Sequence, residues 1–126
     1  MPDINVDVWL YGPLARYGKE ADQGSFANLP VCLPERSTMA DLLRRLGVLQ
    51  ADERGITFIN GQLSAMPGLQ PDLGHILCDG DRVGIFHPKS MWPFQYRHGV
   101  AMTDEMNRAM VAQTDHGLHH TYAKIE

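Results

Sequence analysis

Residues 72–88 read DLGHILCDGDRVGIFHP, and this stretch decides the fold that the sequence predicts. At its centre, Asp79–Asp81 predicts a tight chain reversal, because the middle glycine tolerates positive φ and aspartate side chains accept hydrogen bonds from nearby backbone amides. Arg82–Phe86 then predicts a short core strand, which Pro88 ends. The apolar residues ahead of the turn are expected to form one patch: Leu73, Ile76 and Leu77.

The N-terminal residues predict another core strand. Residues 4–11 alternate strictly, and the two faces are Ile4, Val6, Val8 and Leu10 on one side and Asn5, Asp7, Trp9 and Tyr11 on the other. Such alternation is typical of a strand with one face on a core. Because this run and Arg82–Phe86 are the most apolar segments, we expect them to lie centrally and side by side.

One amphipathic helix is predicted between these strands. Ser37 or Thr38 is a typical N-cap, and Asp41 imitates a capping box with Thr38, although aspartate replaces the usual glutamate. Gly47 is well placed to end the helix. The apolar residues at helical spacing, which predict the buried face, are Met39, Leu42, Leu43 and Leu46.

The remaining segments complete the predicted domain. Residues 29–33 and 56–59 predict two further short strands, and a turn is expected at residues 60–61. The connections are expected to be irregular, with polar loops at 14–28 and 50–54 and an excursion at 64–74. This order predicts an α+β fold in which a mixed sheet of four to five strands packs on one helix.

Residues 89–126 are predicted to extend the domain formed by residues 1–88. The first part of this extension carries the aromatic residues Trp92, Phe94 and Tyr96 without a clear period. A short helix is expected to begin at Thr103 or Asp104 and to end at Gly117. One stripe of that helix is formed by Met102, Met106 and Met110.

Composition restricts the classes of function. Hydrophobic residues make up 44% of the 126-residue chain, enough for one domain core. The formal charge of −4 argues against nucleic acid or an anionic membrane as the main partner. No secretory signal or bilayer-spanning stretch is recognisable, so a cytoplasmic protein is expected. Cys32 and Cys78 are interpreted as buried, inert thiols in a reducing compartment.

The sequence carries no recognisable catalytic motif. It has no phosphate loop, no nucleophile elbow and no spaced pair of carboxylates in a clear context, and neither cysteine has a neighbouring base. We therefore expect no enzymatic activity and no cofactor, with any catalysis belonging to a partner.

Four segments, in this order, resemble the MoaD/ThiS group of ubiquitin-like sulfur carriers. They are VWLYGPLA at 8–15, STMADLLRRL at 37–46, FING at 58–61 and LCDGDRVGIFHP at 77–88. The resemblance covers residues 3–88 and implies the ubiquitin-like β-grasp fold. It also implies a carrier that holds sulfur as a C-terminal glycine thiocarboxylate. An adenylating enzyme would charge that glycine for molybdopterin, tungstopterin, thiamine or related sulfur-transfer biosynthesis.

The C-terminal part departs from that family. The carriers end in Gly-Gly soon after the last strand, because the terminus must thread a narrow channel, whereas this chain has no Gly-Gly and continues to Glu126. Cleavage after Gly99 would leave a single terminal glycine, which makes Gly99 the candidate processed terminus. Two functions stay open: a sulfur-carrier relative that is active after trimming, and a non-conjugating β-grasp interaction module or accessory subunit of a larger enzyme.

Trp9, Tyr11 and Phe86 are the candidate partner-binding residues. They are expected on the outer face of the sheet, where exposed aromatic side chains can anchor a protein partner. In a second interpretation the extension covers them, using Trp92, Phe94 and the methionine stripe. In a third, the methionine stripe forms a homodimer interface.

A histidine cluster near the C-terminus has ligand types suited to zinc or copper. It consists of His116, His119 and His120, with Asp115 beside them. Gly117 interrupts the helix that would align these side chains, and clustered histidines near a terminus are more often solvated. No metal site is therefore predicted.

Overall fold

The computed structural model describes residues 3–48, 53–88 and 101–113. The strands are β1 (Asp3–Tyr11), β2 (Phe26–Pro34), β3 (Thr57–Ile59), β4 (Gln62–Ala65) and β5 (Arg82–Phe86). The α-helices are α1 (Met39–Leu46) and α2 (Asp104–Gln113), and 3₁₀ segments cover Gly12–Ala21 and Pro71–Gly74.

The strands form one mixed sheet in the order β2-β1-β5-β3-β4. β1 and β5 run parallel at its centre, with Val8 beside Val83 and Leu10 beside Ile85. The other neighbouring strands are antiparallel. The prediction that the two most apolar strands lie side by side is confirmed, and so is the α+β class with a mixed sheet of five strands.

The main core lies between the sheet and α1. The β1 residues that enter it are each at most 6% exposed: Ile4, Val6, Val8 and Leu10. The α1 residues that enter it are Met39, Leu42, Leu43 and Leu46. Strand alternation and helical spacing therefore predicted both buried faces correctly. The opposite side of the sheet, which carries Trp9 and Tyr11, is named the outer face.

The ends of α1 follow the predicted signals. Thr38 Oγ1 accepts a hydrogen bond from the Asp41 amide at 3.3 Å, and an Asp41 carboxylate oxygen accepts one from the Thr38 amide at 2.9 Å. This reciprocal pair is the predicted capping box. Gly47 ends the helix with φ of 91°, in the left-handed region that glycine enters without strain.

The predicted polar loop at 14–28 is wrong. Gly12–Ala21 is a 3₁₀ segment whose Leu14 and Ala15 are buried in the main core, and β2 begins at Phe26 rather than at Leu29. Tertiary burial of these two apolar residues outweighs the polar character of their neighbours.

The predicted apolar patch ahead of the turn is also wrong. Leu73 and Ile76 are 42% and 52% exposed, and only Leu77 enters the core. The reason is local: the 3₁₀ turn of Pro71–Gly74 carries Leu73 outward, and the backbone of Leu77 is anchored by a bond from its amide to Ser37 O. The reversal at 79–81 is confirmed, with Gly80 at φ of 87°.

Both cysteines are exposed, which corrects the expectation of buried thiols. Cys32 pairs with Asn5 across the β1–β2 ladder, and both residues point away from the core. Cys78 directly precedes the exposed turn at 79–81. Strand alternation placed Cys32 on the side of the sheet away from the core, and the apolar character of its thiol did not override that placement.

The described part of the extension, residues 101–113, packs back onto the sheet. The Leu63 amide donates to Ala101 O at 2.8 Å, and the Thr103 amide donates to Leu63 O at 3.0 Å, so this backbone lines the free side of β4. α2 follows, and its Met106 is fully buried against Ile56 and Leu63. The predicted start of the helix is confirmed, whereas its predicted end at Gly117 lies outside the described residues.

Candidate functional site

The aromatic residues Trp9, Tyr11 and Phe86 share the outer face, as the strand pattern predicted. Tyr11 and Phe86 are partners in the parallel β1–β5 ladder, and their rings stack at a centroid distance of 4.3 Å with an interplanar angle of 13°. Trp9 and Tyr11 are half-buried, whereas Phe86 is 6% exposed. Trp9 and Tyr11 therefore offer most of the accessible ring surface, and their use in partner binding stays a prediction.

Two further aromatic residues join this face. The ring of Phe26 stacks beside Trp9 at 6.0 Å, and that of Phe58 meets Phe86 edge-on at 6.3 Å. Sequence reasoning missed both for this site, because Phe26 was assigned to a loop and the register of β3 was unknown. The alternation of Phe26 with the buried Ala27 is the signal that could have placed it on the outer face.

A groove of about 710 Å³ runs along this face. Its floor is Gly84, which lies beside Trp9 in β1 and beside Phe58 in β3. Its aromatic walls are Trp9, Tyr11, Phe58 and Phe86. The groove exists because the middle strand places no side chain between two aromatic neighbours.

One end of the groove is polar, because Asn60 and Arg82 line it, and Asp7 lies next to Arg82 outside the lining. Asp7 accepts hydrogen bonds from Asn28 Nδ2 at 2.7 Å and from Trp9 Nε1 at 3.2 Å, and Arg82 Nε lies 3.4 Å from the same carboxylate. The Asn28 bond is the largest of the influences that lower the pKa of Asp7, with Trp9 and Arg82 acting in the same direction against partial burial. Asp7 therefore stays ionised and holds the indole of Trp9 in position. Near Phe86, burial raises the pKa of Tyr11, so its phenol stays neutral.

The open side of β2 is a poor docking edge. The Gly12 amide bonds to Ser25 O, and this fixes which residues of β2 face β1. By alternation, the backbone of Pro30 and Pro34 faces away from β1, where proline has no N–H to offer. The outward carbonyl of Cys32 already accepts a bond from Arg45 Nη1 at 3.2 Å. Since residues 101–103 line the far side of β4, the sheet offers a partner its outer face rather than a free edge.

α2 covers only one half of the outer face. Met106 packs with Ile56 and Leu63, and the residues that pack partly against this cluster are Phe58, Met66, Leu69, Met102 and Met110. The methionine stripe thus lies over the β3–β4 half instead of covering Trp9 and Tyr11, which corrects that part of the covering interpretation. A homodimer through the methionine-rich helix stays a prediction, and Met106 of its stripe is buried within this chain.

Several predicted site residues fall outside the described residues: Gly99, Trp92, Phe94, His116, His119 and His120. Within residues 3–48, 53–88 and 101–113, no group of three or more histidine, cysteine, aspartate or glutamate side chains is placed to hold a metal ion. The helices of those same ranges are too short or too polar to span a bilayer.

Comparison with known proteins identifies no family for this chain, so its function is argued from the geometry of the structure. No protein-family model matches the chain, and no curated protein sequence is significantly similar to it. The argument for function therefore depends on the aromatic face, the groove, the poor docking edge at β2 and the lined edge at β4.

Proposed function

We propose that this chain is a non-enzymatic β-grasp protein of the MoaD/ThiS type that docks a partner protein through the half of its outer face that the described residues leave uncovered. The strand order β2-β1-β5-β3-β4, with α1 packed on one side, supports the β-grasp assignment. The observation that carries the function is the row of stacked rings formed by Phe26, Trp9, Tyr11 and Phe86 beside an open groove.

The aromatic face suits docking because its anchors are preorganised. Tryptophan and tyrosine dominate the binding energy of many protein interfaces, and they lose little conformational entropy when strands already hold them. Trp9 is fixed by its bond to Asp7, and Tyr11 by its stack on Phe86. A partner that covers these rings therefore gains apolar burial without ordering them.

The extension favours a docking module or accessory subunit over a carrier. Met106 is fully buried, and Ala101–Thr103 is bonded to β4, so part of the extension belongs to the fold. A carrier terminus has to be free to enter the active site of another enzyme. The partner we expect is a larger enzyme subunit in the cytoplasm, and any catalysis belongs to that partner.

A second candidate is the sulfur carrier formed by trimming after Gly99. The parallel β1–β5 pair at the centre of the sheet favours this candidate. Because of this pairing, the chain leaves the sheet at Phe86, next to Tyr11 at the end of β1. In the resembling carriers the tail that accepts sulfur follows that strand. Its partner would be an adenylating enzyme of molybdopterin, tungstopterin or thiamine biosynthesis.

The docking function is tested by recovering the tagged protein from its native cells. We expect a discrete partner with the wild-type chain. Truncation of an interface anchor costs about 2 kcal/mol or more, so Trp9→Ala and Tyr11→Ala should lower affinity about 30-fold. The matched control is Ile76→Ser, which changes an exposed apolar residue next to the start of α1 and should keep the partner. Equal recovery with all variants would contradict docking through the aromatic face.

Intact mass of the purified protein separates the two candidates. Full-length chain in the partner complex supports the docking module. A species ending at Gly99, heavier by the mass difference of a thiocarboxylate, supports the carrier and contradicts the non-conjugating module.

A further inference from the structure

A second cavity, of about 480 Å³, opens where β2 ends and α1 begins. Three arginines line it: Arg36 from the turn between the two elements, and Arg44 and Arg45 from the exposed side of α1. The cavity shares no lining residue with the aromatic groove, and α1 packs on the opposite face of the sheet. We name this cavity the arginine pocket. It brings three cations together on a chain whose formal charge is −4.

Most N–H donors of these three guanidinium groups are unused. Arg44 Nη1 donates to a carboxylate oxygen of Asp41 at 3.2 Å, and Arg45 Nη1 donates to the carbonyl of Cys32 at 3.2 Å. Arg36 forms no hydrogen bond or ion pair with any residue that the structure describes. Since each guanidinium presents a fork of several donors, a ligand with several acceptor groups finds free partners around the pocket.

Arg36 occupies a backbone conformation that favours glycine. Residues 34–37 form a turn closed by the bond from the Ser37 amide to Pro34 O at 3.1 Å, and Arg36, the third residue of this turn, has φ of 73°. Glycine is the usual residue at such a position, because a Cβ is strained at positive φ. Strained residues of this kind cluster at functional sites, so the strain points to a function for the Arg36 side chain.

The pocket also carries two carboxylates, and these select the kind of anion. Asp41 is already occupied, because it accepts bonds from the Thr38 amide and from Arg44. Glu35 is exposed beside Arg36, and its carboxylate accepts no hydrogen bond from the described residues. A phosphodiester backbone offers acceptors alone and would place like charge against Glu35. An acidic polypeptide offers carboxylates to the arginines and backbone N–H groups to Glu35.

We propose that the arginine pocket binds an acidic segment of a partner protein, whose aspartate or glutamate carboxylates pair with Arg36, Arg44 and Arg45. Arginine holds a carboxylate through two parallel hydrogen bonds, so the contact has direction as well as charge. A single exposed ion pair is weak, so the pocket favours a segment that engages several guanidinium groups at once. This inference goes beyond docking through the aromatic face, because it concerns a separate surface.

The probe is a hexapeptide of aspartate with acetylated and amidated ends, titrated into the ¹⁵N-labelled full chain and followed by NMR. We expect saturable shifts of the backbone amides of Glu35 and Arg36, weakened by added salt. The indole N–H of Trp9, which belongs to the aromatic groove, should not shift. A hexapeptide of serine should give no saturable shift, and an oligothymidylate of the same length should bind more weakly than the aspartate peptide.

Arg36→Gly separates the charge of the pocket from the stability of the fold. Glycine adopts φ of 73° without strain, so this variant should melt at the same temperature as the wild type or at a higher one. Its affinity for the aspartate peptide should fall about 2- to 5-fold, the range of a single exposed ion pair. Lys19→Gly is the matched control, because Lys19 is an exposed cation at φ of 53° outside the pocket. It makes the same change in net charge and should leave the affinity unchanged.

A triple variant, Arg36→Gly with Arg44→Gln and Arg45→Gln, should abolish the saturable shift. All three side chains are exposed, so the core stays intact, and thermal unfolding verifies this before titration.

The proposal is overturned by any of three results: no saturable shift of the pocket amides in the wild type, tighter binding of the oligothymidylate, or an equal loss of affinity in Lys19→Gly. The last result would show that net charge alone attracts the peptide. None of these results bears on docking through the aromatic face, which partner recovery with Trp9→Ala and Tyr11→Ala tests separately.

Discussion

Arg54 and Asp72 form a buried bidentate ion pair although 18 residues separate them in the sequence. Arg54 Nη1 donates to one carboxylate oxygen of Asp72 at 2.9 Å, and Nη2 donates to the other at 2.7 Å. The two side chains are 1% and 0% exposed. Ser64 Oγ donates to Asp72 at 2.8 Å, and Gln70 Oε1 accepts from Arg54 Nη2 at 3.0 Å. This network ties the segment before β3 to the 3₁₀ turn at Pro71–Gly74.

Asp72→Ala should destabilise the protein strongly, by about 3–5 kcal/mol in the free energy of unfolding, because it leaves the Arg54 guanidinium buried without a counter-charge. Urea unfolding monitored by circular dichroism measures the loss. Arg44→Ala is the control, since Arg44 and Asp41 form an exposed pair at 3.2 Å that should contribute about 0–1 kcal/mol. Equal losses in the two variants would show that the buried pair has no special role.

Met106→Ala should cost about 2–5 kcal/mol, because Met106 is fully buried against Ile56 and Leu63 and its truncation leaves a cavity. The matched control on the same helix is Val111→Ala, where the side chain is 57% exposed and the change should be within about 0.5 kcal/mol. Hydrogen exchange of the Leu63 amide reports whether residues 101–103 detach from β4. A neutral Met106→Ala would mean that α2 is not packed on the sheet in solution.

Gly55→Ala should destabilise the end of β5. A Cβ at Gly55 would lie 2.6 Å from Phe86 O and 2.9 Å from the nitrogen of Pro88, so backbone atoms have to move. We expect a loss of about 1–3 kcal/mol, as for other overpacked sites. The comparison is Gly74→Ala, where a Cβ meets nothing within 4 Å. If both substitutions have the same effect on the denaturation midpoint, the close approach of Gly55 to Phe86 is refuted.

Acid should weaken the attachment of α2 through Glu105. Its carboxylate lies 3.1 Å from His75 Nδ1. Burial acts to raise the pKa of Glu105. The hydrogen bond from its own backbone amide and the contact with His75 act in the opposite direction and together outweigh burial, so the folded pKa is below the ordinary value. A lowered folded pKa gives stability that is complete above the unfolded pKa of about 4.3 and is lost as the pH falls through the folded value.

The measurement is the stability difference between wild type and Glu105→Gln as a function of pH. We expect the wild type to be more stable at pH 6 and the difference to shrink towards zero as the pH falls through the lowered folded pKa of Glu105. Other carboxylates, including Asp7 and Asp41, also titrate in this range with lowered pKa values, but they contribute equally to both proteins and cancel in the difference. A difference that stays constant with pH would exclude Glu105 as the titrating group.

The sequence by itself determined part of the local structure. The alternation in residues 4–11 set the two faces of β1, Thr38 and Asp41 set the start of α1, and Gly47 set its end. The reversal at 79–81 was also readable, because each of these signals depends on neighbours within about four residues along the chain. Such rules apply before any distant contact forms, which is why they held in the folded protein.

Only the tertiary structure decided the candidate site. The groove along the outer face requires Trp9, Gly84 and Phe58 to fall in one row, and that register depends on how three separate strands are brought together. The burial of Arg54 required Asp72 to return from a distant turn, and the half-covered outer face required α2 to pack over β3 and β4. These arrangements depend on side-chain burial over the whole fold, which no local pattern in the sequence determines.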